Sequence, residues 1–121
     1  MAIEITDTEL SRLVDVGLAA AHLGVIGRAR SLFESLLQYK EHAPARIGLA
    51  LTYLTVGDFE RSETILRDEV LASNPKDPEA LAILGLTLIL SGRSEDGVAV
   101  LDRVPPNSGG GKLVAALSRL S

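Results

Sequence analysis

Apolar residues recur every three or four positions along most of this chain, with polar residues between them. The first stretch follows Thr6 and Glu9, which are three residues apart, the spacing of a capping box at the start of a helix. Its apolar stripe consists of Leu10, Leu13, Val14, Gly17, Leu18 and Ala21. A second stripe lies within residues 28–38, and Gly24 and Gly27 separate it from the first. This spacing predicts two successive amphipathic helices, with the two glycines ending the first helix and letting the chain turn.

The same pattern occurs three times. Gly24, Gly57 and Gly92 each follow an apolar segment, and they are separated by 33 and 35 residues. Small residues lie seven positions before and five positions after each glycine, and a bulky apolar residue lies nine positions after it. In chain order these are Gly17, Ala29 and Phe33, then Ala50, Ser62 and Leu66, then Gly85, Gly97 and Leu101. The recurrence predicts three units of two helices each. The small residues, such as Gly85 and Gly97, are expected where the two helices of a unit cross.

Two further helix starts are marked by local sequence. Asp58 directly follows Gly57, so the pair combines a helix stop with an N-cap for the next helix. Asp77 precedes Pro78, which suits the first helical position because its missing N–H has no partner there. The middle unit departs from the pattern in two ways: Arg46 replaces an apolar residue, and there is one extra residue, which we place after Val70.

The repeated unit resembles the tetratricopeptide repeat, which has about 34 residues and forms two helices. The residues that carry the resemblance are Val16-Gly17, Ala20, Gly24, Ala29 and Phe33; then Leu49-Ala50, Tyr53, Gly57-Asp58-Phe59, Ser62, Leu66 and Asn74-Pro75; then Leu84-Gly85, Leu88, Gly92, Gly97 and Leu101. The early Trp-like residue of the family is missing, and Gly97 stands where alanine is usual. The resemblance implies an all-α fold, an α-solenoid of three helical hairpins plus a C-terminal capping helix. A single domain, 1–121, would contain repeats at about 10–42, 43–77 and 78–106, a linker at 105–111 and the capping helix at 112–120.

The first helices of the repeats are unusually apolar. Residues 80–90 carry no charge, and residues 47–56, which follow Arg46, are nearly as apolar. In the family that the chain resembles, first helices line a concave groove. Matching the register across repeats predicts twelve groove residues: Val14, Leu18, Ala21, His22, Ile47, Leu51, Leu54, Thr55, Ala82, Leu86, Ile89 and Leu90. A helix that is apolar on all sides must be buried on all sides, so the outer side of these helices would need a partner.

We therefore predict a protein-binding groove, occupied by an amphipathic or apolar helix or segment of a client protein. Size and groove character also resemble the small chaperones of bacterial type III secretion. An alternative is a structural module whose groove is closed by a second copy, giving a homodimer, or by its own C-terminal helix. A further alternative is a scaffold whose acidic second helices recruit a basic partner.

The composition argues against several other classes of protein. The net charge of −4 argues against a nucleic-acid binder, and the absence of cysteine excludes disulfides and thiolate chemistry. No apolar run is long enough to span a membrane, and the acidic start lacks the pattern of a secretory signal, so a cytoplasmic location is expected. Hydrophobic residues make up 46% of the chain and aromatic residues only 3%, which predicts an aliphatic core.

No pattern predicts catalysis. Residues 108–112, Ser-Gly-Gly-Gly-Lys, resemble part of a phosphate-binding loop, but Pro106 and Leu113 occupy two positions that the motif needs as glycine and hydroxyl. His22 and His42 lie 20 residues apart with no further ligand at metal-binding spacing. We expect no catalytic residue, no metal and no cofactor.

Overall fold

The computed structural model describes residues 24–108, together with residues 6, 8, 15–17, 19, 22 and 111. Five helices lie in the continuous part: α1 (Ile26–Tyr39), α2 (Ala43–Thr55), α3 (Phe59–Thr64, continued by a π-helical segment, Ile65–Val70), α4 (Pro78–Leu90) and α5 (Ser94–Leu101). The predicted capping box needs Glu9, which lies outside the described residues, as does the predicted C-terminal helix at 112–120.

Successive helices pack as hairpins. Helix α2 packs against α3 and its π segment, and α4 packs against α5, while α1 packs against α2. The all-α helical-repeat fold predicted from the sequence is confirmed. The described residues contain two complete hairpins preceded by α1, so the predicted count of three hairpins is not confirmed.

Three turn glycines have the backbone conformation that the pattern requires. Gly24, Gly57 and Gly92 have φ values of 87°, 80° and 93°, in the left-handed region that side chains disfavour. Gly27 was predicted to belong to the first turn, and this is wrong. It is the second residue of α1, because a single left-handed glycine is sufficient to reverse the chain and Ile26 already starts the next helix.

Both predicted N-caps are confirmed. The side chain of Asp58 accepts a hydrogen bond from the backbone N–H of Arg61, with an N···O distance of 3.2 Å. The side chain of Asp77 accepts one from the backbone N–H of Ala80 at 3.0 Å, and Pro78 is the first residue of α4. Each carboxylate thus satisfies a donor that has no partner within its own helix.

Missing side chains allow the helices to cross closely. A methyl group added at Gly97 would lie 2.6 Å from the carbonyl oxygen of Gly85, which confirms the predicted crossing of α4 and α5. Near α1 the Phe33 ring, which is fully buried, occupies the space above two other glycines. A methyl group would lie 2.7 Å from that ring at Gly17 and 2.5 Å from it at Gly48.

The extra residue of the middle repeat coincides with the π segment. The backbone N–H of Leu71 donates to the carbonyl of Leu66, five residues earlier, at 2.8 Å. A π turn holds one more residue than an α turn, so it absorbs an insertion without rotating the rest of the helix away from the core. The sequence pattern predicts the extra residue after Val70, whereas the π segment lies before that point, at Ile65–Val70.

Hydroxyl groups recur where one repeat stacks on the next. Thr52 and Thr87 lie five residues before their turn glycines, and both are fully buried. The Nε of Arg30 in α1 donates to the Thr52 hydroxyl at 3.2 Å. The Ser62 hydroxyl in α3 lies 3.3 Å from that of Thr87 in α4. The two threonine hydroxyls also donate to carbonyls of their own helices, those of Leu49 and Ile83. A buried hydroxyl without a partner is costly, so the buried Ser62 hydroxyl, which pairs with Thr87, favours this stacking register over its neighbours.

Candidate protein-binding groove

An open groove lies between the first helices of the two complete hairpins. Its walls are Pro44, Ile47, Gly48 and Leu51 from α2, and Ile83 from α4, with Asp77 and Glu79 at the start of α4. Its volume is about 450 Å³, which is within the usual range for sites that hold a ligand or a few side chains of a partner. We call it the α2–α4 groove.

The apolar walls of the α2–α4 groove are held by the core beneath them. Ile47 and Leu51 lie one helical turn apart on α2, are partly buried, and pack against the buried cluster. Ile83, on the facing side of α4, is 7% exposed and belongs to that cluster. The core therefore holds these side chains in position, while part of the surface of Ile47 and Leu51 remains exposed.

The end of the groove at the start of α4 is acidic. The Asp77 carboxylate caps α4, and Glu79 lies exposed in the first turn of the same helix. Among the ion pairs of the described residues, neither side chain takes part. No positively charged residue lines the described walls of the groove.

The structure brings two of the twelve predicted groove residues together, Ile47 and Leu51. Val14, Leu18 and Ala21 lie outside the described residues, and His22 is exposed. Leu86 is partly buried against the core, Thr55 is exposed with its hydroxyl bonded to the carbonyl of Thr52, and Leu90 is 54% exposed. His22, Leu86, Thr55 and Leu90 are described by the structure and do not line the α2–α4 groove.

Three predicted groove residues face inward. Leu54 is 7% exposed and Ala82 is fully buried, so neither offers surface to a partner. Ile89 lies beside Gly97, where its Cγ1 would be 2.6 Å from an added methyl group, and thus faces the second helix of its own hairpin. The physical reason is that α4 packs against α2, α3, its π segment and α5 at once. Its uniform apolar character reflects burial within the subunit more than an uncovered outer face.

Sequence reasoning missed five lining residues of the groove: Pro44, Gly48, Asp77, Glu79 and Ile83. Matching the register places the same position of each repeat in the groove, which pairs Ile47 with Ala82. A groove between two neighbouring helices is instead lined by the two sides that face each other, and these lie at different positions of the repeat. The residue across the groove from Ile47 is therefore Ile83, one position after Ala82. Choosing for each helix the side that faces its neighbour could have predicted it.

Several charged residues away from the α2–α4 groove form ion pairs with one another. Arg46, the departure from the repeat pattern, binds Glu41 at 2.5 Å and Glu69 at 2.6 Å. The hydrogen bond from Arg46 lowers the pKa of Glu41 below its ordinary value, and the same contact raises the pKa of Arg46. An arginine at an apolar position is thus tolerated because two carboxylates neutralise it.

A second cleft lies between α2 and α3, and its chemistry is mixed. The guanidinium carbon of Arg30 is 4.1 Å from the centre of the Tyr53 ring, and that of Arg61 is 5.5 Å from it. Asp58 and Glu60 also line the cleft. The cations already stack on the ring, so this cleft offers less free apolar surface than the α2–α4 groove.

Among the described residues, no three His, Asp or Glu side chains are placed to share a metal ion. No helix within the described ranges has the length and apolar character needed to cross a bilayer.

Comparison with known proteins agrees with the architecture. The sequence profile of the tetratricopeptide repeat matches residues 43–68 and 78–103. No curated protein matches the chain. Each profile match begins at the first residue of a first helix, Ala43 or Pro78, and runs through the turn glycine into the second helix of the same hairpin. The chain is therefore a tetratricopeptide repeat protein.

Proposed function

We propose that this protein is a non-catalytic adaptor or chaperone that binds an apolar helix or extended apolar segment of a partner protein in the α2–α4 groove. Tetratricopeptide repeats are protein-interaction modules, which supports the general class. The observation that carries the specific proposal is the apolar wall formed by Ile47, Leu51 and Ile83 from two adjacent repeats. Neither comparison supports the narrower assignment to type III secretion, and a cytoplasmic location stays a prediction from the sequence.

Folding leaves part of the apolar wall of the α2–α4 groove exposed to solvent. Burying an aliphatic side chain completely is worth roughly 1.5–3 kcal/mol. Ile47 and Leu51 have gained only part of that free energy in the free subunit, because they are partly exposed. A partner that inserts apolar side chains between them and Ile83 would complete their burial. Since the walls are fixed by the core, little ordering entropy is lost on the protein's side.

The proposal is tested by selecting peptides from a random display library on immobilised protein. We expect the wild type to enrich peptides rich in Leu, Ile, Val or Phe, and Leu51→Asp to abolish that enrichment because a carboxylate would then lie in the apolar wall. Leu90→Asp is the matched control, since Leu90 is an exposed leucine of a first helix that lies outside the groove. Circular dichroism must show that both variants keep the helicity of the wild type.

Two results would contradict the proposal. One is equal enrichment on the wild type and on Leu51→Asp. The other is a stable dimer of the wild type that Leu51→Asp dissociates in sedimentation experiments, because the groove would then be closed by a second copy. If Leu51→Asp unfolds the protein, Ile47→Asp replaces it, since Ile47 lies one turn away on the same wall.

A further inference from the structure

The charge of the α2–α4 groove is concentrated at one end. Among the described residues, the charged ones that line it are Asp77 and Glu79, which are both acidic and lie at the start of α4. Lys76, the cation next to Asp77 in the sequence, lines a separate cleft together with Arg103, Pro75 and Leu81. A partner in the groove therefore meets aliphatic walls in the middle and carboxylates at this end.

Helix dipoles do not cancel this negative charge. The N-terminus of a helix carries about half a positive elementary charge, and the starts of α2 and α4 both lie beside this end of the groove. Together they offset about one of the two carboxylate charges. Asp77 already uses one oxygen to accept the N–H of Ala80, whereas Glu79 makes no ion pair among the described residues. The net field at this end stays negative and attracts a cation.

Position on the helix sets where that cation must lie. Glu79 and Ile83 are four residues apart, so they share one face of α4 and lie one turn from each other. A partner side chain that contacts Ile83 is therefore about one helical turn from a side chain that reaches Glu79.

We infer that the partner segment is apolar with a flanking Lys or Arg, placed so that its cation meets Glu79 and Asp77 while its apolar residues contact Ile47, Leu51 and Ile83. In a helical partner the basic residue lies three or four positions from the apolar anchor; in an extended one it lies about two positions away. This inference rests on the proposed function and adds the charge of the bound segment to it.

The peptide selection described above also tests the charge preference, when its read-out is the frequency of Lys and Arg beside the apolar residues. We expect these residues to be enriched on the wild type and not on the double variant Asp77→Asn, Glu79→Gln. Asparagine caps helices as well as aspartate does, so the variant keeps the start of α4 intact. For one enriched peptide, the double variant should weaken binding by roughly two- to fivefold per lost exposed ion pair at low salt, and the difference should shrink as salt is added.

Glu95→Gln is the matched control, because Glu95 is an exposed acid at the second position of α5, as Glu79 is in α4, but lies outside the groove. It should leave the preference for Lys and Arg unchanged. Apolar peptides enriched without a basic preference, or with a preference that the double variant retains, would overturn this inference and leave the proposed function standing. Absence of any enrichment that depends on Leu51 would overturn both.

Discussion

Two helical glycines have opposite roles in this fold. At Gly97 a methyl group would lie 2.6 Å from a carbonyl oxygen of α4, so the missing side chain sets the distance between α4 and α5. At Gly27 nothing lies within 4 Å of the place where a methyl group would be. The absence of a side chain is therefore required for packing at Gly97, whereas at Gly27 it only lowers the helix propensity.

This difference predicts opposite effects of the same substitution. Alanine favours helix over glycine by up to about 1 kcal/mol, so Gly27→Ala should leave the free energy of unfolding unchanged or raise it by that amount. Gly97→Ala should lower it by roughly 1–3 kcal/mol, because the clash is with backbone and overpacking forces the helices apart. Urea unfolding followed by circular dichroism measures both. A Gly97→Ala variant as stable as Gly27→Ala would mean that the close crossing is not needed.

At the level of elements, Glu63 joins the two complete repeats. It accepts hydrogen bonds from Arg67 on its own helix, at 2.7 Å, and from Arg93 in the turn before α5. Burial by itself would raise the pKa of Glu63, but the hydrogen bonds and charges of Arg93 and Arg67 outweigh it and lower the pKa below the ordinary value of 4.5. The ionised carboxylate is therefore favoured by the folded state.

The direction of this shift fixes how the contact depends on pH. A pKa that is lower in the folded than in the unfolded state contributes stability above the unfolded value of 4.5, and that contribution is lost as the pH falls through the folded value. Glu63→Gln should therefore be less stable than the wild type by roughly 1 kcal/mol at pH 7, and the two should converge in acid below pH 4.5. Glu60→Gln removes the same charge from an exposed site on α3 with no ion pair among the described residues, and should show no such convergence. A wild-type to Glu63→Gln difference that is constant with pH would contradict the role given to the ion pairs.

Which elements could be predicted depended on how local their cause was. The turns at Gly57 and Gly92 and the caps at Asp58 and Asp77 follow from a backbone angle or a hydrogen bond within a few residues, and all four were predictable. The π segment was not, because an extra residue can be absorbed by a loop or by a wider turn, and packing decides between them. The groove prediction was wrong at Leu54, Ala82 and Ile89 for the same reason. Which side of an apolar helix is covered depends on all the helices that pack against it, and the sequence of the helix itself does not specify them.

At the scale of the whole molecule, the α2–α4 groove exists only if both repeats are folded. Ile47 and Leu51 come from one repeat and Ile83 from the next. One continuous buried cluster runs through the described helices, and each repeat supplies only part of it. The Ser62–Thr87 and Glu63–Arg93 contacts also cross the boundary between the repeats. Neither repeat can bury its apolar surface alone, which is the general condition for repeats to unfold together.

This dependence predicts that a substitution that destabilises one repeat lowers the opening free energy of both repeats equally. Leu66→Ala empties a fully buried site in the π segment and should cost roughly 2–5 kcal/mol. Hydrogen exchange of the backbone amides of Leu54 in α2 and Leu88 in α4, both buried, should report the same loss in opening free energy. Leu90→Ala, at an exposed site, should change neither. If Leu88 kept its protection when Leu54 lost it, the repeats would open separately, and a peptide held between Ile47 and Ile83 could leave the groove without global unfolding. If the two amides change together, a bound peptide must raise the protection of both by the same amount, because it stabilises only the state in which the two repeats are folded.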